Sequence, residues 1–342
     1  MSERIEIQDF PLWKKLEAKR AVMSFEVELT ARCNNDCRHC YIGLPAGDAG
    51  ARAKEMTPAE IERVGAQAVR LGAVWCLITG GEPFLRPDFE DVYLRLKRLG
   101  LLVSVFTNAT LIGDEHVRLF RRYPPRDIEV TVYGVTRETY ERVSRRPGSF
   151  DAFMAGLERL MSAGIPVRLK AMAMRSNLAE QGAIVEFCQA RTKDYFRFDP
   201  QLHLRFDGDE KRNEEIRSER LSPAEVAALE EADEKRIGAM RKDCGVFIQD
   251  MSSGPCDDRL FHCGAGKDSF TLGPDGRLRL CSSLWAEDAM YDLRAGTLED
   301  AWRRFIPGVL GRRSGRASLL ATCRNCGIVN LCLWCPAHAY LE

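Results

Sequence analysis

Residues 24–40 read Ser-Phe-Glu-Val-Glu-Leu-Thr-Ala-Arg-Cys-Asn-Asn-Asp-Cys-Arg-His-Cys, and the two halves of the stretch carry different information. In the first half Phe25, Val27 and Leu29 alternate with Ser24, Glu26 and Glu28, which is the period of a half-buried strand. The second half brings Cys33, Cys37 and Cys40 at once, so three thiols fall on one loop at the end of that strand.

Working outward, Thr57, Pro58 and Glu60 supply the N-cap, first-turn proline and N3 carboxylate of a capping box. Ile61, Val64, Ala68 and Leu71 form the buried stripe of the helix that follows. The alternation of strand and helix then recurs. Strands are predicted near Val74 to Thr79, Leu101 to Thr107, Ile128 to Tyr133, Val167 to Met174 and Phe198 to Arg205. Between them lie helices such as Phe89 to Leu99, closed by Gly100, and Phe150 to Ala163, started by Ser149 and closed by Gly164. Repeated strand-helix units imply parallel strands with right-handed crossovers. Six of them fit an α/β fold, a partial (β/α)6 TIM-like barrel whose active-site loops sit at the carboxyl ends of the strands.

Asp207 to Arg220 is dense in charge and reads as a surface connection, after which Ser222, Pro223 and Glu225 repeat the capping signature. Beyond Cys244 the texture changes to short Gly and Cys segments, a small Cys-rich C-terminal domain. The expected organisation is an N-terminal extension over 1–23, the barrel over 24–220, a linker helix region over 221–255 and the Cys-rich domain over 256–342.

With 50 basic and 50 acidic residues the chain has no net field to hold a nucleic acid or an anionic membrane. No apolar run reaches the ~18 residues of a membrane span, and Met1 to Arg20 lacks a signal-peptide core, so a cytoplasmic protein is expected. In that compartment 13 cysteines point to metal ligation rather than disulfides. Cys76 on a strand and Cys188 in a helix read as small buried hydrophobes, and Cys244 has no assigned role.

Cys33, Cys37 and Cys40 can wrap one iron-sulfur cube and leave its fourth iron open to another ligand. A zinc site that recruits His39, or unligated thiols, are the plainer alternatives. At the end of the second strand stands Thr79-Gly80-Gly81-Glu82-Pro83, where paired glycines admit a ligand to the backbone and Glu82 offers an acceptor to an ammonium group. Alone, this could be a turn.

Together the two elements resemble the signature of the radical S-adenosylmethionine superfamily over roughly residues 24–205. The resemblance implies a 4Fe-4S cluster on Cys33, Cys37 and Cys40 whose open iron chelates S-adenosylmethionine. It also implies cofactor contacts from Gly80, Gly81 and Glu82, from Asn108 after Thr107, from Thr131 on the fourth strand, and from Arg145 as a carboxylate-binding residue. Tyr133 departs from an aspartate frequent in the family, and His39 from the usual aromatic residue.

Cys263 and Cys281 enclose Gly276, and Cys323, Cys326, Cys332 and Cys335 follow as Cys-x2-Cys-x5-Cys-x2-Cys. This pattern resembles the SPASM module, with two residues where the family has three in its last interval. The resemblance implies up to two auxiliary 4Fe-4S clusters, one on Cys263, Cys281 and Cys335 with Cys256 as fourth ligand, the other on Cys323, Cys326 and Cys332. Relatives add a later cysteine, and the sequence ends at Glu342 without one, so either the chain is cut short or that cluster has an open or foreign ligand. Two Cys-x2-Cys pairs also suit a structural zinc knuckle.

The function implied is reductive cleavage of S-adenosylmethionine to a 5'-deoxyadenosyl radical and hydrogen abstraction from a peptide or protein, with a flavodoxin or ferredoxin as electron donor. The few residues before Ser24 leave leader-peptide binding to a separate partner protein. Radical oxidation or decarboxylation of a small molecule such as a tetrapyrrole or sugar, and a non-catalytic iron-sulfur or zinc scaffold, are the competing readings. Asp199, Arg205 and Asp207 near the sixth strand are acid/base candidates by position alone, and solvated strand-end charge is the plainer reading.

Overall fold

In the computed structural model, which describes residues 15–16, 18–192, 197–248, 258–331 and 334–342, six parallel strands run side by side in chain order. They are β1 (Ser24–Glu28), β2 (Trp75–Thr79), β3 (Leu102–Thr107), β4 (Asp127–Val132), β5 (Val167–Met172) and β6 (Arg197–Asp199). Helices α1 (Ala49–Lys54) and α2 (Pro58–Arg70) follow β1, α3 (Phe89–Arg98) follows β2, and α4 (Asp114–Arg122) follows β3. After β4 come α5 (Arg137–Ser144) and α6 (Ser149–Ser162), and after β5 comes α7 (Gln181–Gln189). The expected α/β partial barrel is the fold observed.

Period-2 geometry divides every strand between two environments. Phe25, Val27, Cys76, Ile78, Val103, Val105, Ile128 and Val130 are buried in the layer between sheet and helices. The alternate set, Glu26, Glu28, Leu77, Thr79, Phe106, Thr131, Lys170 and Met172, lines a cavity inside the barrel. The polar face of β1 therefore looks into the bore rather than into solvent.

Helix α2 begins as the sequence predicts. Thr57 Oγ1 accepts from the Glu60 N–H at 3.2 Å, and the Glu60 carboxylate accepts from the Thr57 N–H at 2.7 Å. Ile61, Val64 and Ala68 are buried, joined by Gly65, while Leu71 caps the helix and is only partly buried.

Three expectations need correction. The sixth strand stops at Asp199 instead of reaching Arg205: it pairs only with β5, and Arg205 turns away to bind Asp207 and the Gly43 carbonyl. Asp207 to Arg220 is no open connection, because Glu210–Glu219 forms helix α8, capped by Asp209 accepting from the Arg212 N–H at 3.2 Å. Its buried stripe is Asn213, Ile216 and Glu219, so hydrophobic periodicity gives no sign of it. Helix α6 has Gly148 at φ +78° as its N-cap, and Ser149 lies inside the helix with its hydroxyl 2.7 Å from that of Ser144.

Helices α9 (Pro223–Glu231) and α10 (Glu234–Asp243) precede the Cys-rich segment, which then adds β7 (Ser269–Leu272), β8 (Arg277–Arg279) and β9 (Tyr291–Asp292) to the same sheet. The full order is β9-β8-β7-β1-β2-β3-β4-β5-β6. β7 is parallel to β1, with Ser24 opposite Ser269 and Val27 opposite Leu272, and the rings of Phe25 and Phe270 stack 5.4 Å apart. Trp302, fully buried, closes the junction: its indole N–H donates to the Arg20 carbonyl at 2.6 Å, and Arg20 Nε donates to the Trp302 carbonyl at 3.1 Å. No helix among the described residues is long and apolar enough to cross a membrane.

Trp302→Ala should cost about 3–5 kcal/mol of stability, the range for emptying a large aromatic site in a core. The check is the thermal unfolding midpoint of the intact protein, which an unimportant contact would leave unmoved.

Candidate functional site

The bore ends in a cavity of about 300 Å³ lined by Cys33, Cys37 and Cys40 together with Gly80, Gly81, Asn108 and Thr131. The loop that carries the thiols is tied down at many points. Asp36 and Arg38 donate their N–H groups to the carbonyls of Ser144 and Val143 at 2.9 and 3.1 Å. Arg212 donates to the Cys37 carbonyl at 2.9 Å and Arg205 to that of Gly43 at 3.0 Å. At its base the Arg32 and Glu55 side chains form a buried ion pair at 2.7 Å.

Two sulfurs already receive N–H donors. Gly43 N–H points to Cys40 Sγ at 3.0 Å and Asn35 N–H to Cys33 Sγ at 3.4 Å. Burial pushes all three thiols up: Cys33 to about 12, with Glu82 and Cys40 adding to the effect, Cys37 well above the ordinary thiol range, and Cys40 upward as well. Without a cation they remain neutral thiols, and coordination to a metal would convert them to thiolates. Among the described residues no three His, Cys, Asp or Glu side chains gather for a single ion. The three cysteines instead line a common cavity, an arrangement that fits a polynuclear centre with three thiolate ligands. Buried Asn35 and His39 Nδ1 also lack partners beside it, and burial lowers the His39 imidazole to about 4.

The Gly80-Gly81 turn lies directly on the chain that leads to Cys33. Gly81 N–H donates to the Thr30 carbonyl at 2.6 Å and Glu82 N–H to that of Arg32 at 2.9 Å. Gly80 has φ +135°, and an added Cβ would stand 2.4 Å from the Thr30 oxygen; at Gly81 it would stand 2.2 Å from that of Arg32. Only glycine fits this approach.

Glu82 and Arg145, both expected as cofactor contacts, each hold protein partners. The fully buried Glu82 carboxylate accepts from Thr107 Oγ1 at 2.8 Å, Asn108 N–H at 2.9 Å and Phe84 N–H at 3.2 Å, locking the ends of β2 and β3 together outside the cavity lining. Arg145, at φ +52° after α5, binds Asp36 at 3.0 Å and Glu215 at 2.8 Å, so it grips the cysteine loop from behind. Asn108 does reach the site, with Nδ2 3.7 Å from Cys33 Sγ.

Several lining residues were not singled out as site residues, among them Glu26, Glu28, Lys170, Tyr41, His203 and Ser282. For the strand residues a signal exists, since they share the inward parity of Thr131 on its own strand. Asp199 also lines the cavity. In the C-terminal segment Cys281 feels both Cys263 and Cys335 electrostatically, and burial pushes its thiol up. Cys323 opens a 3-10 turn over 323–325 and Cys326 caps it, while Cys256 and Cys332 lie outside the described residues.

Residues 27–188 match the Radical SAM superfamily. The chain is similar to an AdoMet-dependent heme synthase of Methanosarcina barkeri, 31% identical over 45% of this chain and 43% of the relative, so it spans under half of that protein's length. Similarity to the PqqA peptide cyclase of Gluconobacter oxydans is lower, 26% identity, yet extends over 89% of this chain and 82% of that one. The crystal structure of Streptococcus suis SuiB bound to precursor peptide SuiA has the same fold, with TM-score 0.71 and 16% identity over 96% of this chain and 76% of SuiB.

Burial raises the Glu82 carboxyl from 4.5 to about 7, so the folded protein holds a proton there that the unfolded chain releases. This contribution is complete below about pH 4.5 and is lost as pH rises through about 7; Glu28, also raised to about 7, acts in the same sense. Glu82→Gln cannot titrate and sets an amide donor or a lost acceptor against three N–H and O–H donors, a cost of about 1–3 kcal/mol. Thermal midpoints taken at about pH 5 and about pH 7 should show a lower value for the variant and a shallower decline with pH than wild type.

Proposed function

From the premise that this chain carries a radical SAM domain over residues 27–188, we propose that it is an enzyme that abstracts hydrogen from carbon in a peptide or protein, as in the maturation of a ribosomal peptide or a peptide-derived cofactor. A 4Fe-4S cluster and S-adenosylmethionine supply the radical chemistry, reductive cleavage to methionine and a 5'-deoxyadenosyl radical. The observation that carries the reading is the single cavity shared by Cys33, Cys37, Cys40, Gly80, Gly81, Asn108 and Thr131.

The chain's own residues divide the work. Cys33, Cys37 and Cys40 would hold the cluster, and the Gly43 and Asn35 N–H groups would stabilise negative charge on its sulfurs. The backbone carbonyls at Gly80 and Gly81, whose Cβ-less faces pack on Thr30 and Arg32, would receive the ammonium group of the cofactor, with Asn108 and Thr131 as polar contacts. Glu82 and Arg145 act behind them as positioning residues, one fixing the strand ends and the other the loop. The apolar walls at Phe106, Tyr133 and Met172 would shield the reacting carbon from water.

Cys256, Cys263, Cys281 and Cys335 are assigned to one auxiliary cluster of a domain over 256–342, and Cys323, Cys326 and Cys332 to a second. A flavodoxin or ferredoxin would deliver the electron. Support for a peptide substrate comes from the similarity to PqqA peptide cyclase across most of the chain and from a SuiB-like fold; the heme synthase likeness covers 45% of the chain and speaks for shared cofactor chemistry more than for a shared substrate.

After anaerobic reconstitution and reduction the protein should form 5'-deoxyadenosine, and a fully loaded protein that forms none would refute the enzymatic reading. Cys37→Ala should abolish that product while iron persists on the C-terminal segment. Loss of Cys323 and Cys326 should remove one cluster's worth of iron and spare uncoupled cleavage; unchanged iron would move that site to zinc or to no metal.

A further inference from the structure

A second cavity, of about 380 Å³, adjoins the first and shares Glu28 and Ile42 with it. Leu44 and Ala51 form one side and Phe206 and Trp285 another. The Phe206 and Trp285 rings stack with centroids 4.2 Å apart, and the Arg279 guanidinium carbon lies 3.5 Å from the centre of the indole, so this aromatic wall is fixed from both the barrel and the C-terminal segment.

Two polar atoms on lining residues are buried with no hydrogen-bond partner: Glu28 Oε1, an acceptor, and Trp285 Nε1, a donor. Glu28 is 2% exposed, and its other oxygen binds Arg279. The rim carboxylates are already engaged, Asp48 with the Ala51 N–H of α1, Asp207 with Arg205 and Asp275 with Arg277. An anionic occupant would meet four carboxylates, those of Glu28, Asp48, Asp207 and Asp275, against the one ammonium of Lys54. A peptide unit matches instead, since it brings one N–H, one C=O and a side chain for the apolar walls.

We propose that this second cavity is a subsite for the residue next to the one being modified, with Glu28 accepting its N–H, Trp285 donating to its carbonyl, and a large uncharged side chain packed on Phe206, Trp285 and Leu44. The assignment rests on the peptide-substrate reading. Because Glu28 lines both cavities, the two residues would be neighbours in the substrate chain, and the aromatic wall would set which neighbour is accepted.

The test uses the reconstituted full-length protein under anaerobic conditions, with N-acetyl-L-leucinamide and N-acetyl-L-phenylalaninamide as probes in titration calorimetry. Saturable binding in the millimolar range is expected. Trp285→Phe keeps the stack and removes the donor, and should weaken binding about three- to tenfold, the worth of one hydrogen bond. Ala51→Trp fills the cavity and should abolish binding, while uncoupled S-adenosylmethionine cleavage persists in both variants and shows that they are folded. No saturable binding by the wild type, or wild-type affinity in both variants, would overturn the subsite. A peptide substrate that Ala51→Trp turns over with unchanged kcat/KM would remove the subsite and leave the peptide reading standing. Amide binding lost in Ala51→Trp, in an enzyme that modifies no peptide, would do the reverse.

Discussion

Strand β1 is hydrogen-bonded along both edges, to β2 on one side and β7 on the other, and the whole site depends on that double pairing. It makes β1 an interior strand even though it is the first of the barrel. It also means that the Cys-rich segment is attached by main-chain hydrogen bonds in a fixed register. A slip of one residue would exchange the faces of β1, sending Phe25 and Val27 into the bore and Glu26 and Glu28 into the helix layer. Burial of both the apolar and the charged face of one strand thus fixes the height at which Cys33 leaves the sheet.

The same pairing explains why a carboxylate can stand in the interior. Glu28 and Arg279, each 1% exposed in its side chain, form an ion pair between β1 and β8. Removing both charges from water is costly, and such pairs seldom add net stability compared with apolar residues of similar size. Their presence is better understood through position than through stability. The pair spans the seam between barrel and C-terminal segment, beside the cavity, and Arg279 stands two residues before Cys281.

How much of this was legible in the sequence follows from which faces carry apolar residues. The outward faces of β1 to β5 were readable because Phe25, Val27, Ile78, Val105 and Val130 recur at period 2 against helix stripes such as Ile61, Val64 and Ala68. The inward faces were not, because polar residues at alternate positions look the same whether they face water or a bore; Glu26 and Glu28 read only as the polar alternation of a half-buried strand. Helix α8 escaped for a related reason, its buried positions being Asn213, Ile216 and Glu219, held by polar contacts such as the Ser176 N–H donating to Glu219 at 2.8 Å. The cysteine spacing and the Gly-Gly-Glu turn were legible as motifs, but the division of labour inside the turn was not: nothing in Gly80-Gly81-Glu82 says that the backbone faces the cavity while the carboxylate faces Thr107 and Asn108.

That division has a physical rationale. Turned toward the sulfurs, the Glu82 carboxylate would add negative charge to a cavity that Glu26, Glu28 and Asp199 already line, and the rise in the Cys33 thiol already includes a contribution from Glu82. Turned away and surrounded by three donors, Glu82 fixes the ends of β2 and β3, so that Gly81 can press on Arg32 and Asn108 can stand near Cys33. Arg145 on Asp36 and Arg212 on the Cys37 carbonyl hold the loop from behind, while Lys170 lines the cavity. The loop is therefore held from outside by charge and lined inside by sulfur, amide and glycine. Such a shell stabilises one geometry of three thiols without competing for the space between them.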